Sequence, residues 1–313
     1  MLLNFGIIIS LFVLFHFLGK SADLIVLNIK RICHKLGIRI FFMGIILGFF
    51  TSLPELAIGF NAILKNIPEI SLGNLLGGII VLLGLILGLS MIVERRITTD
   101  GKITSFLPTA IYLAVPFILG LDGQISSVDG IALIVGYLFL ISLSFIQNKE
   151  IQDGFKIKIT KEKFLKEIGL IGLGVFLVAI LSSLIIQLTL FLLKNIEIPI
   201  FILGILLFSI GTNLPEIIIT IRSWRHHIKE LSLSVLTGSA IANPAIIGLF
   251  ALIKPIYFKT DPAFYFLMAF TFVMLAALLR FYETKKSLSR KEGFVLVSIY
   301  FLFLITQTLF LVY

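Results

Sequence analysis

Charge is what this sequence has least of. Asp, Glu, Lys and Arg together make up 14% of its 313 residues, against about 25% in soluble globular proteins. Its single cysteine, Cys33, excludes an internal disulfide, a cysteine-rich metal site and a dithiol redox pair. It carries no Walker sequence, no dinucleotide-binding glycine fingerprint and no nucleophile set beside a base, so nothing in it points to an enzyme or a bound cofactor. Hydrocarbon takes the place of charge. Hydrophobic residues make up 58% of the chain, with 30 Phe, and the mean hydropathy is +1.11. A water-soluble fold of this length has no room to hide that much apolar surface, so the solvent is lipid and an all-α, multi-pass membrane protein is expected. The net charge of +9 would suggest nucleic acid as partner to a soluble chain. Here the basic residues sit in short loops between apolar runs, where they orient a protein in its bilayer.

Ten apolar stretches are long enough to cross about 30 Å of hydrocarbon as helix: 2–29, 38–64, 69–93, 103–121, 126–147, 166–193, 197–223, 230–254, 260–281 and 292–312. The first lacks the basic leader of a secretory signal and continues past Lys20 and Asp23 into further apolar sequence, so it reads as a span. With the N-terminus outside, the inner loops hold 21 Lys and Arg residues and the outer loops only Lys65, Lys194, Lys254 and Lys259. The positive-inside rule therefore puts both termini outside, in a plasma or inner membrane. The longest polar segment, Gln147 to Glu167, reads as a cytoplasmic linker. It divides the chain into a five-span half over 1–147, a linker over 148–165 and a second five-span half over 166–313.

The halves repeat. Residues 51–82 align with 212–243 at a constant offset of 161, and 12 of the 32 pairs are identical. Leu and Ile matches between apolar helices carry little weight; Thr51/Thr212, Pro54/Pro215 and Glu55/Glu216 at one register carry most of it. An odd number of spans per half turns the second half upside down, which gives an inverted-topology repeat of the kind used for alternating access around a midplane site.

At the centre of spans two and seven lie Thr51-Ser52-Leu53-Pro54-Glu55 and Thr212-Asn213-Leu214-Pro215-Glu216. Proline removes a backbone donor and unwinds the turn before it, leaving carbonyl oxygens in need of a cation or water. A carboxylate at that depth is costly and persists where something positive or aqueous faces it. Pro in a membrane helix is common and a kink needs no function, but Pro-Glu twice at one register favours a cation site, and neither segment contains a Lys or Arg. Two glutamates, freed carbonyls and Thr, Ser and Asn side chains make a hard, oxygen-only cage suited to Ca²⁺, with Na⁺ as a competitor for the same oxygens.

These paired segments resemble the α-repeats of the sodium/calcium exchangers, in the calcium/cation antiporter superfamily, whose motif is Gly-Thr-Ser-x-Pro-Glu followed by a Gly-Asn-x-x-Gly-Ser-Asn helix. The resemblance extends over essentially the whole chain. It implies that Glu55 and Glu216 ligate Ca²⁺ with backbone and side-chain oxygens of Thr51 and Thr212, and that Na⁺ uses Gly48, Ser52, Ser209, Asn213, Ser239 and Asn243. The sequence also departs from the motif. Phe50 stands where its first Gly belongs, although Gly211 keeps it in the second half; Gly78 replaces a ligand Ser and Leu82 a ligand Asn, while Ser234-Val235 has lost a Gly-Asn. The calcium centre is intact and one flanking monovalent site lacks two of its oxygens.

The remaining features have local explanations. Glu69 and Glu230 open spans three and eight, where a carboxylate complements the helix dipole. Lys20 and Asp23, at i and i+3, are expected to neutralise each other. His226 and His227 read as part of a solvated basic loop. Gly73, Gly77, Gly84 and Gly88 allow close helix packing. Spans two, three, seven and eight should form the core, with Pro54 facing Pro215. The expected activity is exchange of Ca²⁺ for Na⁺ without ATP; a Ca²⁺/H⁺ antiporter and a cation-binding membrane protein without turnover are the alternatives. Besides these ions and the lipid bilayer, no nucleic acid or obligate protein partner is indicated.

Overall fold

The computed structural model describes residues 2–35, 51–99, 101–147, 161–193, 199–213, 216–217, 220–221, 224, 229–284 and 287–309. Nearly all of them are helical. In chain order the helices are α1 (Leu2–Lys35), α2 (Leu53–Leu64), α3 (Pro68–Glu94), α4 (Ile103–Leu119), α5 (Ser127–Gln147), α6 (Lys161–Leu193), α7 (Ile200–Thr212), α8 (Lys229–Ile253), α9 (Pro262–Thr284) and α10 (Arg290–Leu309). Among the described residues, seven helices are long and apolar enough to cross a membrane, and Leu53–Leu64, Ser127–Leu143 and Ile200–Thr212 are shorter apolar helices. The chain is therefore an integral membrane protein. Helix α3 widens into a π-helix over Val81–Ile86, as α7 does over Gly204–Phe208.

A purely helical chain needs one correction. Two short antiparallel strand pairs join the connectors: β1 (Arg96–Thr98) with β4 (Ser287–Ser289), and β2 (Gln124–Ile125) with β3 (Ile256–Tyr257). Where connectors run side by side at helix ends, pairing satisfies backbone groups that no helix serves. Helix α6 also begins inside the segment that reads as linker. No Gly or Pro separates Lys161 from the apolar run that follows, so the helix starts early.

Burial shows which helices are central. The spans Pro68–Glu94 and Val235–Ile253 are each 78% buried inside the protein, whereas the other five are 24–41% buried. Two apolar clusters flank them: a larger one built around α3, α4, α8, α9 and α10, and a smaller one in which Leu11, Phe15, Leu18 and Ile25 of α1 pack with Ile58 of α2, Ile185 of α6 and Phe208 of α7. The crossing of α3 and α7 depends on glycine. A Cβ on Gly204 would lie 2.6 Å from the Ile70 carbonyl oxygen and 3.0 Å from the Gly73 Cα, so the two backbones meet with no room for a side chain.

Candidate cation site

Both carboxylates follow a turn of the same construction. Ser52 makes the turn, Pro54 stands where a missing N–H is harmless, and Leu56 N–H closes on the Ser52 carbonyl at 3.0 Å. In the second half Asn213 makes the turn and Ile217 N–H closes on the Asn213 carbonyl at 3.1 Å. Glu55 sits in the first turn of α2, where the positive end of the helix dipole offsets part of its charge. Pro215 is not among the described residues, so its expected facing of Pro54 falls outside them; the same holds for Gly48, Phe50, His226 and His227.

The expected ligands that are described come together. Thr51, Ser52, Glu55, Ser209, Thr212, Asn213, Glu216, Ser239 and Asn243 are each at most 1% exposed. Ser239 donates from its hydroxyl to Glu216 Oε1 at 3.1 Å, and Thr51 Oγ1 lies 2.7 Å from Ser239 Oγ. Thr51 and Ser239 have one hydroxyl proton each, and either can donate to the other. The interactions cross between the halves: the Thr51 hydroxyl also reaches Glu216, the Thr212 hydroxyl reaches Glu55, and the two carboxylates are close enough to repel. Oε2 of Glu55 and Oε2 of Glu216 are both buried with no hydrogen-bond partner among the described residues. Such oxygens are expensive to bury unless a cation answers them.

One polar group beyond the expected set belongs to this centre. Asn74, on α3, accepts from Thr212 Oγ1 at 3.0 Å, and its Nδ2 is buried with no partner among the described residues. The sequence signal for Asn74 is its place after Gly73, which matches the Gly-Asn of the exchanger motif. Other members are tied to their own helix: Ser209 donates to the Ile205 carbonyl, and Asn213 Nδ2 donates to the Ser209 carbonyl at 2.6 Å.

Gly78 acquires a meaning that the sequence does not show. Asn243 reaches from α8 to α3, where its Nδ2 donates to the Leu75 carbonyl at 2.9 Å. A Cβ on Gly78 would come within 2.7 Å of that nitrogen and 3.3 Å of Asn213 Nδ2. The missing side chain is thus the space that the Asn243 amide occupies. Lys20 and Asp23 also depart from expectation. Lys20 is exposed, whereas Asp23 is 7% exposed, so the two side chains meet different surroundings.

The sodium/calcium exchanger protein family matches the chain over residues 6–146 and 166–309. An uncharacterized membrane protein of Methanocaldococcus jannaschii, MJ0091, is 28% identical over 287 residues, covering 90% of this chain and 91% of its own. The inner membrane protein YrbG of Escherichia coli is 27% identical over 253 residues, covering 75% and 76%. The sodium/calcium exchanger MaX1 of Methanosarcina acetivorans is 25% identical over 332 residues, covering 92% and 95%. Among solved structures, the sodium-calcium exchanger NCX_Mj soaked with Na⁺ and Sr²⁺ superposes with a TM-score of 0.69 at 22% identity, covering 95% of this chain and 97% of that one. At that identity the likeness is one of fold.

Proposed function

Since the chain belongs to the sodium/calcium exchanger protein family, a family of transporters and not of enzymes, we propose that it is a secondary active antiporter that exchanges Ca²⁺ for Na⁺ across the membrane by alternating access. In this reading the seven long helices and three shorter apolar ones are ten spans in two inverted five-helix repeats, with both termini outside a plasma or inner membrane.

The observation that carries the reading is the pair of buried carboxylates, Glu55 and Glu216, each with an unpartnered oxygen and each touched by a threonine of the opposite repeat. Two negative charges match one Ca²⁺. Thr51 and Thr212 supply hydroxyl and backbone oxygens, and Ser239 holds Glu216 Oε1 in place. Ser52, Ser209, Asn213, Ser239 and Asn243, with Gly48, supply the Na⁺ positions. Occluding the empty pair from water carries a desolvation penalty of several kcal/mol for each carboxylate. Loaded with Ca²⁺, Na⁺ or protons, the centre is near neutral and can close. Exchange becomes obligatory because the empty carrier rarely crosses.

A Ca²⁺/H⁺ antiporter is the second reading, favoured by one feature: Gly78 and Leu82 bring no side-chain oxygen, and the Asn243 amide nitrogen occupies the space beside Gly78. Ca²⁺ flux in proteoliposomes under imposed gradients tests both. Flux driven by a Na⁺ gradient at constant pH is the expected result. Flux driven by a pH gradient alone establishes the second reading, and Ca²⁺ binding without flux under either gradient removes both.

A further inference from the structure

Thr51 and Thr212 stand at one register in the two repeats, but the side chains that meet them do not. Thr51 Oγ1 meets Ser239 Oγ at 2.7 Å, and Thr212 Oγ1 meets Asn74 Oδ1 at 3.0 Å. At the 161-residue offset, Asn74 answers to Val235 and Ser239 to Gly78. Of two polar positions one turn apart, α3 keeps the first and α8 the second. Where α3 has no side chain at Gly78, the longer one at Asn74 reaches the threonine of the opposite repeat.

Packing does not require an amide there. Val235 is 1% exposed, so hydrocarbon fills the same register in the other repeat, whereas Asn74 is 0% exposed and its Nδ2 has no partner among the described residues. A buried amide with one end unserved is costly, and a leucine of similar shape would avoid that cost. The end that is served is Oδ1. Its partner is a fully buried hydroxyl four residues before Glu216.

The role of that oxygen follows from a count of protons. A hydroxyl has one proton and two lone pairs, and it ligates a cation through a lone pair, so the proton has to lie elsewhere. Two oxygens stand 3.0 Å from Thr212 Oγ1, the Phe208 carbonyl of its own helix and Asn74 Oδ1. Both accept and neither donates. If the proton turned to Glu55, which the same hydroxyl reaches, both oxygens would face bare lone pairs at that distance. The Phe208 contact is the back-bond that a helical threonine makes within its own turn; Asn74 adds a second acceptor from the opposite repeat and keeps the proton on that side.

We propose that Asn74 is a positioning residue of the cation centre: its Oδ1 draws the Thr212 proton away from Glu55 and so turns a lone pair of Thr212 towards the ion. This role rests on the reading of Thr212 as a ligand given above; the contact between the two side chains does not.

Isothermal titration of Ca²⁺ into the purified protein tests it. Asn74→Leu keeps the shape and removes the acceptor, and it raises the Kd about fivefold, the worth of one hydrogen bond. Asn74→Asp keeps an acceptor and binds Ca²⁺ no more weakly than the wild type. In a Thr212→Val background, which itself lowers affinity, Asn74→Leu changes the Kd no further, because its effect passes through that hydroxyl. Equal losses in the Leu and Asp variants, the mark of packing alone, overturn the proposal. So does an undiminished affinity in Asn74→Leu, or a further fivefold loss in the Thr212→Val background. Should Asn74→Leu not fold, Asn74→Ala takes its place with the same expectation. Wild-type protein that binds neither Ca²⁺ nor Na⁺ removes the cation reading and this role with it, whereas a wild type that binds beside an unaffected Asn74→Leu removes only the role of Asn74. The expected pattern in a protein that moves no Ca²⁺ under any gradient removes the transport reading and leaves Asn74 in its role.

Discussion

Thr51 and Ser239 stand 188 residues apart in sequence and 2.7 Å apart in space. Their hydrogen bond ties the first repeat segment to the helix that follows the second, and it ends on Glu216 through Ser239. Removing either hydroxyl leaves a buried polar group unserved, at a cost of about 1–3 kcal/mol. Ser239→Ala should weaken Ca²⁺ binding roughly tenfold, and Thr51→Val combined with it should add little, since one chain of donors is broken in both cases. Isothermal titration of the two single variants and the double variant checks this; full additivity would count against the chain.

The carboxylates themselves should show opposite effects on stability and on function. Glu55→Gln or Glu216→Gln removes a buried charge, so each variant should melt at a higher temperature than the wild type in the absence of cations, by the equivalent of about 1–3 kcal/mol. Each should also lose the thermal stabilisation that Ca²⁺ gives the wild type. Melting curves in detergent with and without Ca²⁺ measure both, and a Gln variant that keeps its Ca²⁺ shift removes that glutamate from the site.

Gly78 should resist the repair that its sequence suggests. A serine there places its Cβ 2.7 Å from Asn243 Nδ2, forcing the amide off the Leu75 carbonyl. Gly78→Ser should therefore destabilise the protein by about 1–3 kcal/mol, and adding Asn243→Ala should recover most of that. Na⁺ dependence of transport should be less steep in the wild type than in a Gly78→Ser, Leu82→Asn variant whose Asn243 has yielded. Melting temperatures test the clash, and Hill coefficients for Na⁺ test the oxygens.

The crossing of α3 and α7 offers a paired control. Gly204→Ala puts a methyl 2.6 Å from the Ile70 carbonyl oxygen and should cost about 2 kcal/mol or more, whereas Gly169→Ala on α6, which meets nothing within 4 Å, should be neutral or slightly stabilising. Thermal denaturation of the two variants side by side separates packing from helix propensity.

The centre of the site was legible because polar residues in an apolar stretch have few ordinary reasons to be there, and two segments carried the same ones at the same register. Asn74 needed the crossing of α3 and α7 before it met Thr212. Asp23 was legible as a charge but not as a buried one. Spacing of i and i+3 marks two residues as adjacent on a helix surface, yet one can stand at the edge of a buried face and the other on the open side. The strand pairs have two or three residues per strand, too few for alternation to register, and nothing in Val81–Ile86 distinguishes a π-helix from an ordinary one. Gly78 reads in sequence as a loss, because the amide that fills its volume comes from 165 residues farther along.

The two strand pairs have a mechanical consequence. The first links the connector after α3 to that before α10, and the second links the connector after α4 to that after α8. They sit at opposite ends of α4, so the bundle of α3, α4, α5, α8, α9 and α10 is latched at top and bottom like a stator. Among the described residues no such latch reaches α1 or α6, which pack extensively on each other. The long α1/α6 pair thus packs on this latched bundle without a strand link to it among the described residues.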